Sequence, residues 1–249
     1  MIYITGDCHA EFHKLNKENF PEQMEMTKAD YVIICGDFGG VWDAGKESKN
    51  EKWWMNWLEE RPFTTLFVDG NHENFDRLNS YPVEEWHGGK VHKIRPSVIH
   101  LMRGQVYELE GKKIFTFGGA QSHDIRDGIL EPDDPNYKTK KKWMDTHNKL
   151  YRVNHISWWA QELASVAEIE EARQNLELRN WQVDFIVTHC CPVSTQAMLG
   201  MHDADVTTAF LEEIKCKCDY KYWFFGHYHD NKNVTYRDLL LYEQIIRIC

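Results

Sequence analysis

The chain has 249 residues, a net charge of -10 and an apolar fraction of 42%, enough for a sizeable core in one large domain or two small ones. The acidic balance argues against a simple basic face for nucleic acid, but not against a phosphorylated substrate, because bound cations invert a local field. No apolar run approaches the ~18 residues of a membrane span. Seven cysteines cannot all pair within the chain, which fits free thiols in a reducing cytoplasm.

In chain order, residues 2–5 read as a strand ending at Gly6-Asp7. Met1 leads straight into it without a basic or long apolar leader, so no signal peptide is expected. Residues 11–29 are polar with scattered apolar positions and read as helical, with Pro21 inside. Tyr31–Cys35 is a buried strand followed by the loop Gly36-Asp37-Phe38-Gly39-Gly40. Residues 47–60 carry Trp53, Trp54, Trp57 and Leu58 at helical spacing, with Pro62 as the stop. Residues 64–68 form a third strand, which runs into Gly70-Asn71-His72-Glu73.

Strand, loop and helix in repetition favour an α/β sandwich with strands buried on both faces. Residues 98–101, 106–109 and 113–117 are short, close together and joined by Gly-containing turns, as expected for antiparallel strands of a second sheet. The stretch 124–155 breaks the pattern with Pro132, Pro135 and the run Lys138-Thr139-Lys140-Lys141-Lys142. It reads as a long insertion within a single domain over 1–249, either a solvated loop or a lid whose lysines draw in an anionic substrate. Residues 157–180 read as helix and 184–188 as a strand ending at His189. Residues 203–215 read as helix, with Asp203 or Asp205 as N-cap. Residues 222–225 form a strand before Gly226-His227-Tyr228-His229, and 234–248 alternate enough to close a sheet.

Asp and His therefore stand at the ends of five apolar runs. Each cluster alone is an ordinary turn. In α/β sheets, however, sites gather outside the carboxyl ends of strands, so all five can converge on one edge. Carboxylate oxygens and imidazole nitrogens without thiolates suit Mn, Fe, Zn or Ni rather than Ca or a structural zinc. There are enough ligands for two ions ~3.5–4 Å apart, a pair that acidifies a bridging water and clamps the oxygens of an in-line phosphoryl displacement.

The series Asp7-x-His9, Gly36-Asp37, Gly70-Asn71-His72-Glu73, His189, Gly226-His227-x-His229 resembles the calcineurin-like metallophosphoesterases in order and spacing, from residue 2 to about 230. The resemblance implies a two-sheet sandwich flanked by helices. It implies that Asp7, His9 and His229 hold one metal, that Asn71, His189 and His227 hold a second, and that Asp37 bridges them. His72 would not bind metal but would give a proton to the leaving oxygen. The reaction implied is hydrolysis of a phosphomonoester or phosphodiester by a metal-bridging hydroxide, with Mn as the leading cofactor and no membrane or obligate protein partner. A non-catalytic scaffold on the same fold is the rival reading, and His72 counts against it.

The resemblance is incomplete. The Ser/Thr protein phosphatase branch has an Asp three residues after the bridging Asp, then a phosphate-gripping Arg; here Gly40 and Val41-Trp42 stand there. That argues against protein phosphatase specificity and leaves His72 without an identified orienter. Gly118-Gly119-Ala120-Gln121-Ser122, Ser157-Trp158-Trp159 and the Gly-His-x-His ending resemble compact bacterial and phage members instead. His123 and Asp124 are candidate supports of the ligands. Arg77 and Arg126 are candidate phosphate contacts. Cys8 and Cys191 read as packing thiols beside ligands.

Overall fold

The computed structural model describes residues 1–249. Its elements in chain order are β1 (Ile2–Thr5), β2 (Tyr31–Ile34), α1 (Lys49–Glu59), β3 (Thr64–Phe67), α2 (Phe75–Leu78), β4 (Val83–Trp86), β5 (Gly89–Arg95), β6 (Val98–Leu101), β7 (Gln105–Leu109) and β8 (Lys112–Phe117). There follow β9 (Gly128–Leu130), α3 (Tyr137–Thr146), β10 (Tyr151–Val153), α4 (Val166–Glu177), β11 (Phe185–Thr188), α5 (Val193–Met198), α6 (Val206–Lys217), β12 (Tyr222–Phe225), β13 (Lys232–Asn233), β14 (Asp238–Leu240) and β15 (Ile245–Arg247).

Two large sheets face each other. One has the order β15-β1-β2-β3-β6-β5-β4 and the other β13-β14-β12-β11-β8-β7. The two-residue period of a strand divides its side chains between two cores. On β1 and β2, Ile2, Ile4 and Ile33 enter the core between the sheets, while Tyr3, Val32 and Ile34 pack outward under the first helical layer with Trp54 and Leu58. The second sheet repeats the device. Phe185 and Val187 face inward, and Ile186, Trp223 and Phe225 pack against Ile169, Leu176 and Leu211 of α4 and α6. This is the α/β two-sheet sandwich flanked by helices. Ser48 and Ser165 start α1 and α4 with capping boxes, and Asp205 caps α6.

Several expectations need correction. Residues 11–29 form two 3-10 turns, Phe12–Leu15 and Pro21–Glu25, rather than a helix. Asn16 Oδ1 accepts the Glu18 and Asn19 amides, and the Pro21 ring donates nothing, so local bonds replace the helical ladder. Strand β6 belongs to the first sheet, parallel to β3; of the three strands expected there, β7 and β8 alone enter the second sheet, paired antiparallel. The hairpin β4–β5 was not legible because β4 is almost wholly exposed and does not alternate. Its tight turn, His87-Gly88, has positive φ at both residues (48° and 87°), the requirement of a type I′ turn. Residues 157–164 precede the helix as extended chain and one 3-10 turn. The segment 234–248 splits: β14 joins the second sheet and β15 the first.

The insertion 124–155 is ordered. Strands β9 and β10 pair in parallel, and α3 carries no buried residue, as its polar composition implies. Lys140 bonds Asp134 and Lys141 bonds Asp145, so both lysines are spent on the insertion's own carboxylates. The link to the body is made elsewhere: Asp76 on α2 accepts from Trp159 Nε1 at 2.7 Å and pairs with His155 at 2.8 Å.

Candidate metal centre

Strands β1, β2, β3, β11 and β12 all run parallel to a neighbour, so their carboxyl ends meet at one edge. There the structure gathers Asp7, His9, Asp37, Asn71, His189, His227 and His229. Ligand atoms of Asp7, His9, Asp37 and His229 lie within 4.8 Å of one another, and so do those of Asp37, His189 and His227. Asn71 Oδ1 joins the second group at 3.3 Å from His189 Nε2. Asp37 is common to both.

The glycines before the ligands have a steric cause. A Cβ on Gly70 would lie 2.1 Å from Asp37 Oδ1, and one on Gly226 would lie 2.0 Å from Asp7 Oδ1. Each strand end must be bare so that a ligand from another strand, β2 for Gly70 and β1 of the facing sheet for Gly226, can pass. Four ligands, His9, Asp37, His227 and His229, hold positive φ between 43° and 70°. Non-glycine residues take this conformation only when the surroundings impose it.

The donor set fits cations. His9 Nε2 and His229 Nε2 face each other at 3.0 Å, and His229 Nε2 lies 3.2 Å from Asp7 Oδ2. Such convergent lone pairs need a shared proton or a metal between them. Burial alone would push the His189 ring below its usual range, but Asp37 at 3.2 Å and Asp7 behind it override burial and raise it to about 10. Burial would likewise lift Asp37, yet His189, His72 and His9 hold it well below the carboxylate range. The positive charge that this proton supplies is what a metal would supply in its place. His189 donates Nδ1–H to the Cys35 carbonyl at 2.8 Å, which aims Nε2 at the site.

His72 stands beside this cluster. Its amide donates to Asp37 Oδ1 at 2.8 Å. Its ring lies edge-on to His9 and is tilted against Trp42. No carboxylate orients it; aromatic rings and an arginine do. Arg152 Nη2 lies 3.1 Å from His72 Nε2. Guanidinium only donates, so Nε2 is the acceptor in this arrangement. Burial first, and Arg152 among the nearby cations, lower His72 to about 4. Arg152 is itself buried and aimed by Asp124 at 2.6 Å, Glu162 at 3.6 Å and the Ser157 carbonyl at 3.1 Å. Glu162 accepts from Ser122 Oγ at 2.6 Å, and Ser122 Oγ accepts from Asn71 Nδ2 at 3.4 Å. Asn71 and Arg152 thus both lead to Glu162.

Other expectations resolve as follows. Glu73 reaches no ligand position; its Oε1 accepts the Phe38 amide at 2.8 Å and holds the Asp37 loop. Arg77 does not face the site: it pairs with buried Glu51 at 2.8 Å. His123 stacks on His227 at 4.7 Å between centroids. Cys8 and Cys191 are buried, and all seven cysteines are free. Sequence reasoning missed Arg152, whose neighbours carry no motif, and Lys14, whose Nζ donates to the carbonyls of Gly6, Asp7 and Tyr242. It also left Ser122 and the Trp42 ring without a role. Ser122 lies within Gly118-Gly119-Ala120-Gln121-Ser122, the one signal that could have found it.

Residues 1–231 match the family described as Calcineurin-like phosphoesterase. Lariat debranching enzyme A of Xenopus laevis is 29% identical over 168 residues, covering 62% of this chain and 29% of that protein. Lariat debranching enzyme of Saccharomyces cerevisiae is 25% identical over 189 residues, covering 71% and 42%. That of Schizosaccharomyces pombe is 23% identical over 254 residues, covering 92% and 48%. The chain therefore spans less than half the length of these relatives. No helix is long and apolar enough to cross a membrane.

Proposed function

The chain belongs to the calcineurin-like phosphoesterase family, and from that premise we propose that it is a two-metal phosphodiesterase. The observation that carries the two-metal part is the sharing of Asp37 between two ligand groups. Asp7, His9 and His229 would hold one ion and Asn71, His189 and His227 the other, with Mn the leading candidate and Fe, Zn or Ni as alternatives. Bound there, the pair would supply an activated water and neutralise phosphoryl charge.

The diester part rests on the space around the centre. One cavity of about 300 Å³ opens on His9, Trp42 and His72. Another of about 250 Å³ opens on His123 and His227. A phosphorus between them has room for a substituent on each side, whereas a monoester fills one. On the first side His72 is the proton donor to the leaving oxygen. For Nε2 to donate, Arg152 must turn to another acceptor, and a phosphoryl oxygen of the substrate is one it can grip. The relatives named for debranching lariats favour a nucleotide ester. The rest of the reading is a single domain with 124–155 as an insertion that delivers Arg152, and a cytoplasmic setting in which the free thiols stay reduced.

Turnover of the Mn-loaded protein on bis-p-nitrophenyl phosphate, compared with p-nitrophenyl phosphate, tests this. The diester should turn over faster. Faster hydrolysis of the monoester would replace phosphodiesterase by phosphatase, and no hydrolysis of either would favour the scaffold reading.

A further inference from the structure

Behind the ligands at the end of β1, three carbonyl oxygens turn toward one point. Those of Gly6, Asp7 and Tyr242 receive no backbone amide. The Cys8 thiol reaches Gly6 only at 3.9 Å, and Thr5 Oγ1 reaches Tyr242 only at 3.4 Å. Lys14 Nζ donates to all three, at 2.9 Å to Gly6, 2.6 Å to Asp7 and 2.8 Å to Tyr242. An ammonium has three donors and no acceptor, so each N–H finds its own oxygen. Its partners are backbone carbonyls rather than carboxylates. Three carbonyl dipoles with their negative ends together favour a cation over a neutral donor.

The three oxygens belong to two distant parts of the chain. Gly6 and Asp7 follow β1, whereas Tyr242 lies where the chain crosses from β14 to β15. The two parts are in close contact: a Cβ on Gly6 would lie 2.1 Å from the Leu241 carbonyl oxygen and 2.6 Å from Tyr242 Cα. Both bear on His229. Asp7 Oδ2 lies 3.2 Å from His229 Nε2, and the Tyr242 ring stacks on the His229 ring at 4.8 Å between centroids. Lys14 Nζ sits 5.9 Å from the centroid of that same tyrosine ring. One ammonium thus holds the backbone of a ligand, Asp7, and of the residue that steadies a second ligand, His229. Hydrogen bonds behind a metal ligand fix its direction.

Resting on the two-metal reading, we propose that Lys14 is a positioning residue for the ion held by Asp7, His9 and His229, its ammonium acting as a tethered cation that sets Asp7 directly and His229 through Tyr242. It touches neither of the ligand side chains of the other position, His189 and Asn71, so its influence is confined to one ion.

The test measures both Mn dissociation constants of Lys14→Ala by competition with a chelator of known affinity. His9→Ala marks which constant belongs to the position held by Asp7, His9 and His229. In Lys14→Ala that constant should rise roughly 10- to 100-fold, as when a bond behind a ligand is removed, while the other holds. Methylammonium chloride should restore it by occupying the space of the lost ammonium. Tetramethylammonium chloride at the same ionic strength has no N–H and should not. Lys14→Met keeps the side-chain stem without the donors, and should show the same loss without rescue; it carries the comparison of the two constants if Lys14→Ala does not fold. A constant unmoved in the variants, an equal loss at both positions, or a loss that methylammonium does not reverse overturns the positioning role. So does failure of both variants to fold, which would make the contact a support of the whole chain. A metal-free readout separates this role from the two-metal reading. Methylammonium should raise the Tm of metal-free Lys14→Ala by roughly 2–4 °C and leave that of the parent unmoved. If the parent binds fewer than two Mn ions but this shift appears, the two-metal reading fails and the cation site between Asp7 and Tyr242 stands. Two bound ions with no shift and no rescue overturn the role of Lys14 alone.

Discussion

The two halves of the candidate centre are built differently. On the inner side His189 is fully buried and bonded through Nδ1 to the Cys35 carbonyl. Asn71 is tied to Ser122 and through it to Glu162, and His227 lies between the rings of His123 and His189. On the outer side the His229 side chain is 50% exposed and that of His9 is 30% exposed. His229 is steadied by stacking on Tyr242, and His9 by edge contacts with His72 and His229. Hydrogen bonds to the far side of a ligand fix its direction and raise its basicity, which ring contacts do less well. The inner position should therefore be the tighter and the outer the more exchangeable, with Asp37 common to both.

Asp37→Asn makes the sharpest cut, because the residue belongs to both halves. The purified variant should lose both ions and all measurable turnover; metal analysis is the check. Retention of one tightly held ion would show that the halves do not depend on a common bridge.

His72→Ala should leave the metals in both halves and slow the chemistry. The loss is roughly 10²–10⁴-fold on esters with poor leaving groups and smaller with nitrophenolate, which needs less protonation. A loss of equal size on both substrates would remove the proton-donor role.

Supports of the two halves can be removed separately. Ser122→Ala should weaken the inner ion roughly 10- to 100-fold. Tyr242→Leu, which removes the stacking beneath His229, should weaken the outer ion by about 2- to 10-fold. Competition with a chelator of known affinity measures both, and a larger effect at Tyr242 would invert the comparison.

The smallest effect is in pH. The folded protein raises His189 from 6.5 to about 10, so it binds that proton more tightly than the unfolded chain. The stabilisation is complete below about 6.5 and is lost as pH rises through about 10. The Tm of the metal-free protein should fall across that window, and that of the metal-loaded protein should fall less, because a cation has replaced the proton. Parallel curves with and without chelator would mean that the two do not compete.

The ligand edge was legible because each ligand cluster follows its own short apolar strand, with a glycine between them except at Thr188-His189, a signal contained in a few residues such as Val68-Asp69-Gly70-Asn71. Parallel pairing then brings the strand ends together without further instruction. What escaped depends on long-range contacts. Arg152 is set by Asp124, Glu162 and Ser157 across a chain excursion that sequence pattern does not describe. Residues 11–29 carry apolar spacing compatible with a helix, but Asn16 and Pro21 divert the backbone bonds. The hairpin β4–β5 lies at a sheet edge, where one face is not buried and alternation fades. Strand β15 returns to β1 only because the last fifteen residues cross from one sheet to the other.

Electron paramagnetic resonance of the Mn-titrated protein reads a pair of ions sharing Asp37 through their spin coupling. The first equivalent should give an isolated-ion spectrum. The second should convert it to the spectrum of a spin-coupled pair, as expected for ions ~3.5–4 Å apart, and Asp37→Asn should abolish that conversion. Two equivalents that bind without coupling, or saturation at one, would contradict it.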